Sequence, residues 1–515
     1  MSKNSIIKGT LVLTAAGFLT RIIGFFYRII LSKSLGEEKM GVYQLIFPVY
    51  SICFTLFASG IQTSISKLVA AQTGKYGDKD CNNIKRILRI GLTCSMAIAL
   101  TLCAVVNLNA DFIATRLLAE PSCANSLRIL AFTFPFCGVT SCINGFYYGI
   151  KETTVPASTQ LIEQITRVAF VMAFAMYIGG GDNMITCETA VLGLVAGEVS
   201  SNLFNVISMK LRTKKNKGNC INTPREPHIF REMMKLAVPL TSNRLLLSVL
   251  NSVESVLIPI MLRKAGYSAS EALSIFGVLT GMAIPFIMFP SAIPNSFAVL
   301  LLPTISEAQA KGNEKLIGKT TAIAIKYCLM IGLLSTGVFI VFGMALGEKI
   351  YSSTLAGQFI VTLSWLCPFL YMTTTLGSII NGLGKAYITF INSVVGVSIR
   401  ILCVIFVVPV YGIKGYLVGT LISQLIISTL DIVAVVRTIK FEPNLVDWLV
   451  KPGIIIVGLG YTFYEVYTRL ICRFSSVMSN VLDIGILLSC AAVFCFLYIV
   501  ILRMANLFNM KEFRQ

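Results

Sequence analysis

Histidine is almost missing: His228 is the only one in 515 residues. That removes most of the acid–base and metal-ligand chemistry that leans on imidazole. Charge is scarce too, at 13% of residues against 55% hydrophobic, and mean hydropathy is +0.79. A water-soluble core cannot hide so much apolar surface, so the composition indicates a polytopic membrane protein. Acids are the rarer sign, 24 against 43 basic residues. The resulting net charge of +19 does not point to a nucleic-acid partner, because the basic residues are scattered among hydrophobic runs and form no aromatic-interleaved patch. The fifteen cysteines include no C-x-x-C pair, and most, such as Cys53, Cys137, Cys328 and Cys495, lie inside apolar runs. They read as packing residues, with no metal site, no cofactor and no disulfide framework. No nucleophile–base spacing marks an enzyme. Gly312 to Thr320 imitates a phosphate-binding loop but has five residues between its glycines. The motif requires four and a preceding strand, so this stretch reads as a loop that starts a helix.

What is present begins with a long apolar segment, Gly9 to Gly36, that carries Arg21 near its middle and Arg28 two turns on. Its length and its arginines do not fit a cleavable signal. It is long enough to span a bilayer, which takes about 20 apolar residues. An arginine near the bilayer centre costs at least ~2.5 kcal/mol, so it turns to a cavity or a partner. Arg21 and Arg28, seven apart, share one helix face.

Hydropathy gives fourteen candidate spans, roughly 9–32, 42–65, 88–108, 127–149, 156–178, 187–208, 234–262, 273–302, 320–342, 357–380, 387–408, 413–436, 450–470 and 480–503. Lysine and arginine concentrate in alternate connections, notably after spans two and six. This places both termini in the cytoplasm. The chain also resembles itself. Thr63-Ser-Ile-Ser-Lys67 answers Pro303-Thr-Ile-Ser-Glu307, Ile143-Asn-Gly145 answers Ile380-Asn-Gly382, and Gly193 with Gly197 answers Gly415 with Gly419. Each unit crosses six times, so the repeat is parallel, the arrangement in which a central site forms between two bundles. The expected all-α organisation is a six-helix lobe at 1–209, a basic cytoplasmic linker at 210–232, a second six-helix lobe at 233–438 and two additional helices at 439–515, the lobes related by a pseudo-two-fold.

Arg21 in span one corresponds roughly to Arg244 in span seven, and Arg167 in span five to Arg400 in span eleven. Glu163 and Arg167 have i, i+4 spacing with the acid first, a favourable order for a pair. No acid adjoins Arg21, Arg28, Arg244 or Arg400 in sequence, while Glu198, Glu254 and Asp431 are acids inside spans. Two readings stay open: a cationic cavity, or cross-helix pairs with those acids. Pro48, Pro135, Pro239, Pro259 and Pro368 interrupt spans, and span eight holds Pro285, Pro290 and Pro294. Each bends its helix, as hinge or as static curvature.

Lys8-Gly-Thr-Leu, Ala15-Ala-Gly17, Thr20-Arg-Ile-Ile-Gly-Phe25, Arg28, Gly36-Glu-Glu38, Gly41-Val-Tyr43 and Ile65-Ser-Lys-Leu-Val-Ala70 resemble the stage V sporulation protein B family. So do Glu163-Gln164 with Arg167, Gly197-Glu198, Pro239 with Arg244, and Ile305-Ser-Glu307. That family is a flippase branch of the multidrug/oligosaccharidyl-lipid/polysaccharide exporter superfamily. The resemblance implies a multi-pass cell-membrane transporter that moves an undecaprenyl-linked cell-wall precursor by alternating access, for spore cortex peptidoglycan. It implies a lipid-linked saccharide, membrane lipid and cell-wall synthesis proteins as partners. Arginine suits a diphosphate through its planar donor fork, which makes Arg21, Arg28, Arg244 and Arg400 the candidate headgroup-binding residues, with Arg167 held by Glu163. A cation-coupled multidrug exporter of the same fold and a non-transporting scaffold for cortex assembly are the alternatives.

In a cysteine-free variant, a cysteine placed at Asn216 should resist impermeant thiol reagents in intact cells, whereas one at Ser352 should react. Labelling of Asn216 from outside contradicts the fourteen-span orientation.

Overall fold

Hydrocarbon offers no partner to a backbone amide or carbonyl, so an apolar chain of this kind satisfies both within helices. The computed structural model describes residues 3–76, 81–177, 185–215, 226, 228–439, 444–474 and 480–508, and these contain helices and no strand. The order is α1 (Lys3–Leu45), α2 (Phe47–Phe54), α3 (Gly60–Tyr76), α4 (Cys81–Leu108), α5 (Ala110–Phe112), α6 (Cys123–Ala131), α7 (Thr133–Gly149), α8 (Thr154–Tyr177), α9 (Cys187–Lys215) and α10 (Ile229–Lys264). It continues with α11 (Ala269–Gly277), α12 (Ile284–Met288), α13 (Ala292–Ala310), α14 (Glu314–Tyr351), α15 (Thr354–Leu363), α16 (Cys367–Gly382), α17 (Ala386–Phe406), α18 (Val408–Thr438), α19 (Lys451–Phe474) and α20 (Asn480–Met504). Short π-helical turns at Thr55–Ser59 and Val278–Ala283 interrupt two of the long runs. Residues 216–225 and 227 of the basic linker expected at 210–232, Asn216 included, lie outside the described residues, and its two ends continue α9 and α10.

Among the described residues, eleven helices are long and apolar enough to cross a membrane, twelve if the bent pair α6–α7 is one span. This is a multi-pass membrane protein. One of the eleven is the 63-residue run Leu13–Lys75, which at 1.5 Å per residue would be about three bilayer cores long if straight. It is broken at Gly36, whose φ of 75° and ψ of 178° suit a residue without a Cβ. The α8 helix is absent from the eleven; Gln160, Glu163, Gln164 and Arg167 dilute its apolar character. The span expected at 273–302 is not one helix. Pro285 starts α12, Pro290 sits in the turn before α13, and Pro294 enters the first turn of α13. Prolines lack the amide that would carry the ladder through. In contrast, Pro239 and Pro259 are accommodated inside α10. Gly312, with φ of 65°, makes the turn before α14. The Asn313 side chain caps that helix by accepting from the Leu316 amide at 3.1 Å, so the loop-like stretch at 312–320 is a helix start.

The helices gather into two compact units, Met1–Ile260 and Met261–Gln515, dividing inside α10. Within the first, α3 and α4 pack on α7, α8 packs on α9 and on α1, and α7 packs on α9. Within the second, α13 and α14 pack on α16, α17 on α18, and α16 on α18. Glycine sets the closest approaches: a Cβ on Gly145 would lie 2.6 Å from the Gln62 carbonyl oxygen, and one on Gly382 would lie 3.0 Å from that of Leu302. In the second unit α14 also carries α15, α19 and α20. Tyr498 donates to the Met330 carbonyl at 3.3 Å, Lys349 pairs with Asp483 at 2.5 Å, and the Phe494 ring meets Phe342 and Phe463 edge-on.

Backbone meets backbone at Gly347, where a Cβ would sit 2.1 Å from the Gly357 amide nitrogen, whereas Gly453 has nothing within 4 Å. Gly347→Ala should therefore lower stability by about 1–3 kcal/mol, the usual overpacking range, read as an earlier thermal transition of the detergent-purified protein. Gly453→Ala should melt with the parent; equal behaviour of the two variants contradicts the α14–α15 packing.

Candidate functional site

On α1 the buried stripe is Ala16, Tyr27, Leu31 and Leu35, at the three- and four-residue steps of one helix face. Arg21 and Arg28 lie off that stripe and are exposed. Where α1 meets α8, Gly24 comes close to the Gln164 carboxamide. One turn along α8, Arg167 Nη2 is ion-paired with Glu163 Oε1, both side chains largely covered. The α9 helix is drawn against this pair because Gly197 leaves no side chain in the way: a Cβ there would meet the Glu163 carbonyl at 2.8 Å. Glu198 follows on α9, and the Cys137 thiol of α7 lies against its carboxyl group. Tyr50 Oη is 3.5 Å from Cys137 Sγ. The Tyr27 hydroxyl, Gln164 Oε1 and Arg167 Nε are buried without a hydrogen-bond partner among the described residues. Such polar atoms are uncommon inside proteins.

Arg244 takes a different partner. It projects from α10, exposed, and its Nη1 donates to the Ser59 carbonyl at 2.9 Å. Ser59 closes the π-helical turn Thr55–Ser59, where bonding is i+5 instead of i+4, and its carbonyl also accepts from Thr63 Oγ1 at 3.0 Å. The Phe57 carbonyl in the same turn accepts from Ser95 at 2.7 Å. Arg400 lies in the second unit, half-buried on α17. Near it in sequence, Asn392 donates to buried Asp431 on α18 at 2.8 Å. Glu254 is buried on α10. Lys326, inside α14, lays its ammonium 5.4 Å from the Tyr327 ring centre.

The first unit thus holds Arg21, Arg28, Glu163, Arg167 and Arg244, and the second holds Arg400. The expected pairing geometry of Glu163 and Arg167 is present on α8. Two features escape a reading by residue type. The Ser59 carbonyl is backbone, and residue types do not mark which carbonyl an arginine on another helix reaches. The meeting of Glu198 with Cys137 and Tyr50 joins α9, α7 and α2; its one sequence signal is the small-residue spacing Gly193 to Gly197, which predicts close approach of a neighbouring helix. Chemically, the arrangement can present fixed positive charge on apolar helices, with one arginine neutralised by an acid and another resting on a neutral oxygen.

Comparison with known proteins bears on this arrangement. Stage V sporulation protein B of Bacillus subtilis (strain 168) is 25% identical over 463 residues, covering 89% of this chain and 88% of that protein. The lipid II flippase MurJ of the same organism is 20% identical over 451 residues, covering 82% of this chain and 81% of that one. Among solved structures, lipid II flippase MurJ in an inward closed conformation superposes with a TM-score of 0.69 at 15% identity, over 96% of this chain and 100% of that one. An inward-facing multidrug resistance transporter of the MATE family gives 0.64 at 14% identity, over 83% and 98%. These likenesses show the fold. The family described as polysaccharide biosynthesis protein matches residues 6–309, and the chain belongs to that family.

Proposed function

We propose that this protein is a flippase-type transporter that moves an undecaprenyl-linked saccharide from the cytoplasmic to the outer leaflet. The observation that carries the reading is Arg244: an arginine on an apolar helix whose recorded partner is the neutral Ser59 carbonyl. Its charge therefore stays uncompensated by that contact and suits an anion. A lipid-linked diphosphate carries about two negative charges through hydrocarbon, and a guanidinium answers each with charge-assisted, often bidentate donation. Arg21, Arg28 and Arg400 join Arg244 as headgroup-binding residues, and Glu163 neutralises Arg167 and holds it in place. The likeness to the lipid II flippase along most of both chains favours lipid II-like cargo, and the likeness to stage V sporulation protein B favours a role in spore cortex synthesis.

The two-lobe reading, 1–209 and 233–438 with two extra helices at 439–515, is supported by the matching packing of α3, α4, α7, α8 and α9 and of α13, α14, α16, α17 and α18. Fourteen spans follow if the Leu13–Lys75 run crosses twice about Gly36, the bent pair α6–α7 crosses once and the polar α8 crosses once. Both termini then face the cytoplasm, and alternating access carries the headgroup past the arginines.

Leaflet accessibility of lipid II in vesicles holding the purified protein tests the reading. Arg21→Ala, Arg244→Ala and Arg400→Ala should each slow flipping about tenfold or more, the loss expected for one charged hydrogen bond, with membrane abundance near that of the parent. Lysine should restore part of the rate, since it keeps the charge but loses the fork. Abundance falling before activity would mean that these arginines serve structure instead.

Glu163 and Arg167 give a separate expectation. Reversing both charges together should recover much of what each single reversal loses, although membrane polar pairs average only about 0.6 kcal/mol. Additive losses in a double-mutant cycle of flipping rate would show that the two side chains act independently.

A further inference from the structure

A run of contacts joins α10 to the interrupted helix α2–α3, all within the first unit. Ala237, Thr241, Arg244, Ser248 and Ser252 follow one another at steps of four and three, which is a single helix face. They meet Gly60, Ser59, Ser51 and Pro48 in reverse order, so the two segments are antiparallel. A Cβ on Gly60 would fall 1.9 Å from Thr241 Oγ1 and 2.8 Å from the Ala237 carbonyl, so here the helices touch. Arg244 Nη1 donates to the Ser59 carbonyl at 2.9 Å. Ser248 Oγ and Ser51 Oγ share a hydrogen bond of 2.8 Å, and Ser252 Oγ donates to the Pro48 carbonyl at 3.1 Å.

The chemistry of this seam is that of a contact made to part. Its members are hydroxyls and neutral carbonyls, with no interdigitated apolar side chain among the contacts just named. A serine hydroxyl that loses its partner can turn back to the carbonyl one turn earlier in its own helix, as Thr55 does to Ser51 at 2.8 Å and Thr63 to Ser59 at 3.0 Å. Opening the seam therefore strands no buried donor. Arg244 is the exception, because a guanidinium has no such internal refuge. It needs an external acceptor, and an ionised phosphate oxygen is a stronger one than a neutral carbonyl.

We infer that Ser59 is a positioning residue whose carbonyl parks Arg244, and that the diphosphate of the lipid-linked cargo takes the guanidinium from it and so unfastens α10 from α2–α3. This rests on the proposed function and adds to it the step by which binding is felt by the fold. Only the unfastened state offers Arg244 to the ligand, so the ligand must shift the balance toward that state. Ser51, Ser248 and Ser252 set how firmly the seam holds.

The test uses the full-length protein in lipid vesicles, cysteine-free except for Ser51→Cys and Ser248→Cys, whose parent oxygens are 2.8 Å apart. Cross-linking under mild oxidation is timed with and without lipid II, and flipping is measured in the reduced, oxidised and re-reduced protein. The inference expects rapid cross-linking alone, cross-linking slowed about fivefold or more by lipid II (the lower end of ordinary coupling between a ligand and a conformational change), loss of flipping on oxidation, and its return on reduction. Adding Arg244→Ala should abolish the effect of lipid II on the cross-linking rate. Failure to cross-link, undiminished flipping in the cross-linked protein, or a rate indifferent to lipid II while the reduced protein flips would each overturn the inference. A reduced protein that flips no lipid II overturns the functional reading instead. Inorganic diphosphate then decides the latch, and a cross-linking rate that ignores diphosphate overturns it.

Discussion

A guanidinium in hydrocarbon must be answered by something, and the fold of this protein can be followed from what answers each one. Arg167 is answered by a carboxylate one turn away on its own helix, and Gly197 lets α9 close over the pair. Arg244 is answered by the backbone oxygen of Ser59, the last residue of a π-helical turn. The first solution is static: the pair is covered, and removing either member leaves the other buried and uncompensated. The second is provisional, since a neutral oxygen holds a cation less firmly than an anion does. The same constraint thus yields one arginine suited to holding helices together and one suited to meeting a ligand.

The backbone around Arg244 fits that division. Pro48, the turn at Thr55–Ser59 and Gly60 interrupt what would otherwise be one regular helix, and their carbonyls take side-chain donors from Ser252, Ser95 and Arg244. Proline and π-turns are thus used here for acceptors as much as for curvature. In the second unit, by contrast, the long helix α14 is the post against which α15, α16, α19 and α20 pack. Glycine backbone contact at Gly347 and the aromatic group around Phe494 hold that assembly.

How legible this was depends on the kind of signal. Membrane class and helix positions follow from hydropathy, because a run of apolar residues flanked by basic ones has few other uses in water. The Glu163–Arg167 spacing and the Gly193–Gly197 spacing translate directly into an ion pair on α8 and a close α8–α9 contact. The span at 273–302 reads as one helix because its apolar character runs through Pro290, whereas the missing amide breaks the ladder and makes two helices of it. The run from Leu13 to Lys75 is the reverse case: one turn at Gly36 separates segments that hydropathy already treats as two. The Ser59 carbonyl is illegible in principle, since every residue owns a carbonyl and only the packing of α10 on the first unit decides which one Arg244 reaches. The place of Arg400 relative to the other arginines is likewise beyond a one-dimensional repeat, which pairs helices without fixing rotation.

The central claim is that the arginine-bearing helices serve to carry an anionic lipid headgroup through the bilayer. It is tested most directly with the unmodified protein: purify it, place it in vesicles with lipid II in both leaflets, and follow how much lipid II an impermeant reagent reaches with time. Transport predicts that the protected inner-leaflet pool becomes reachable when the protein is present and stays protected in vesicles without it. An inner pool that remains protected in sealed vesicles holding folded protein would contradict the account.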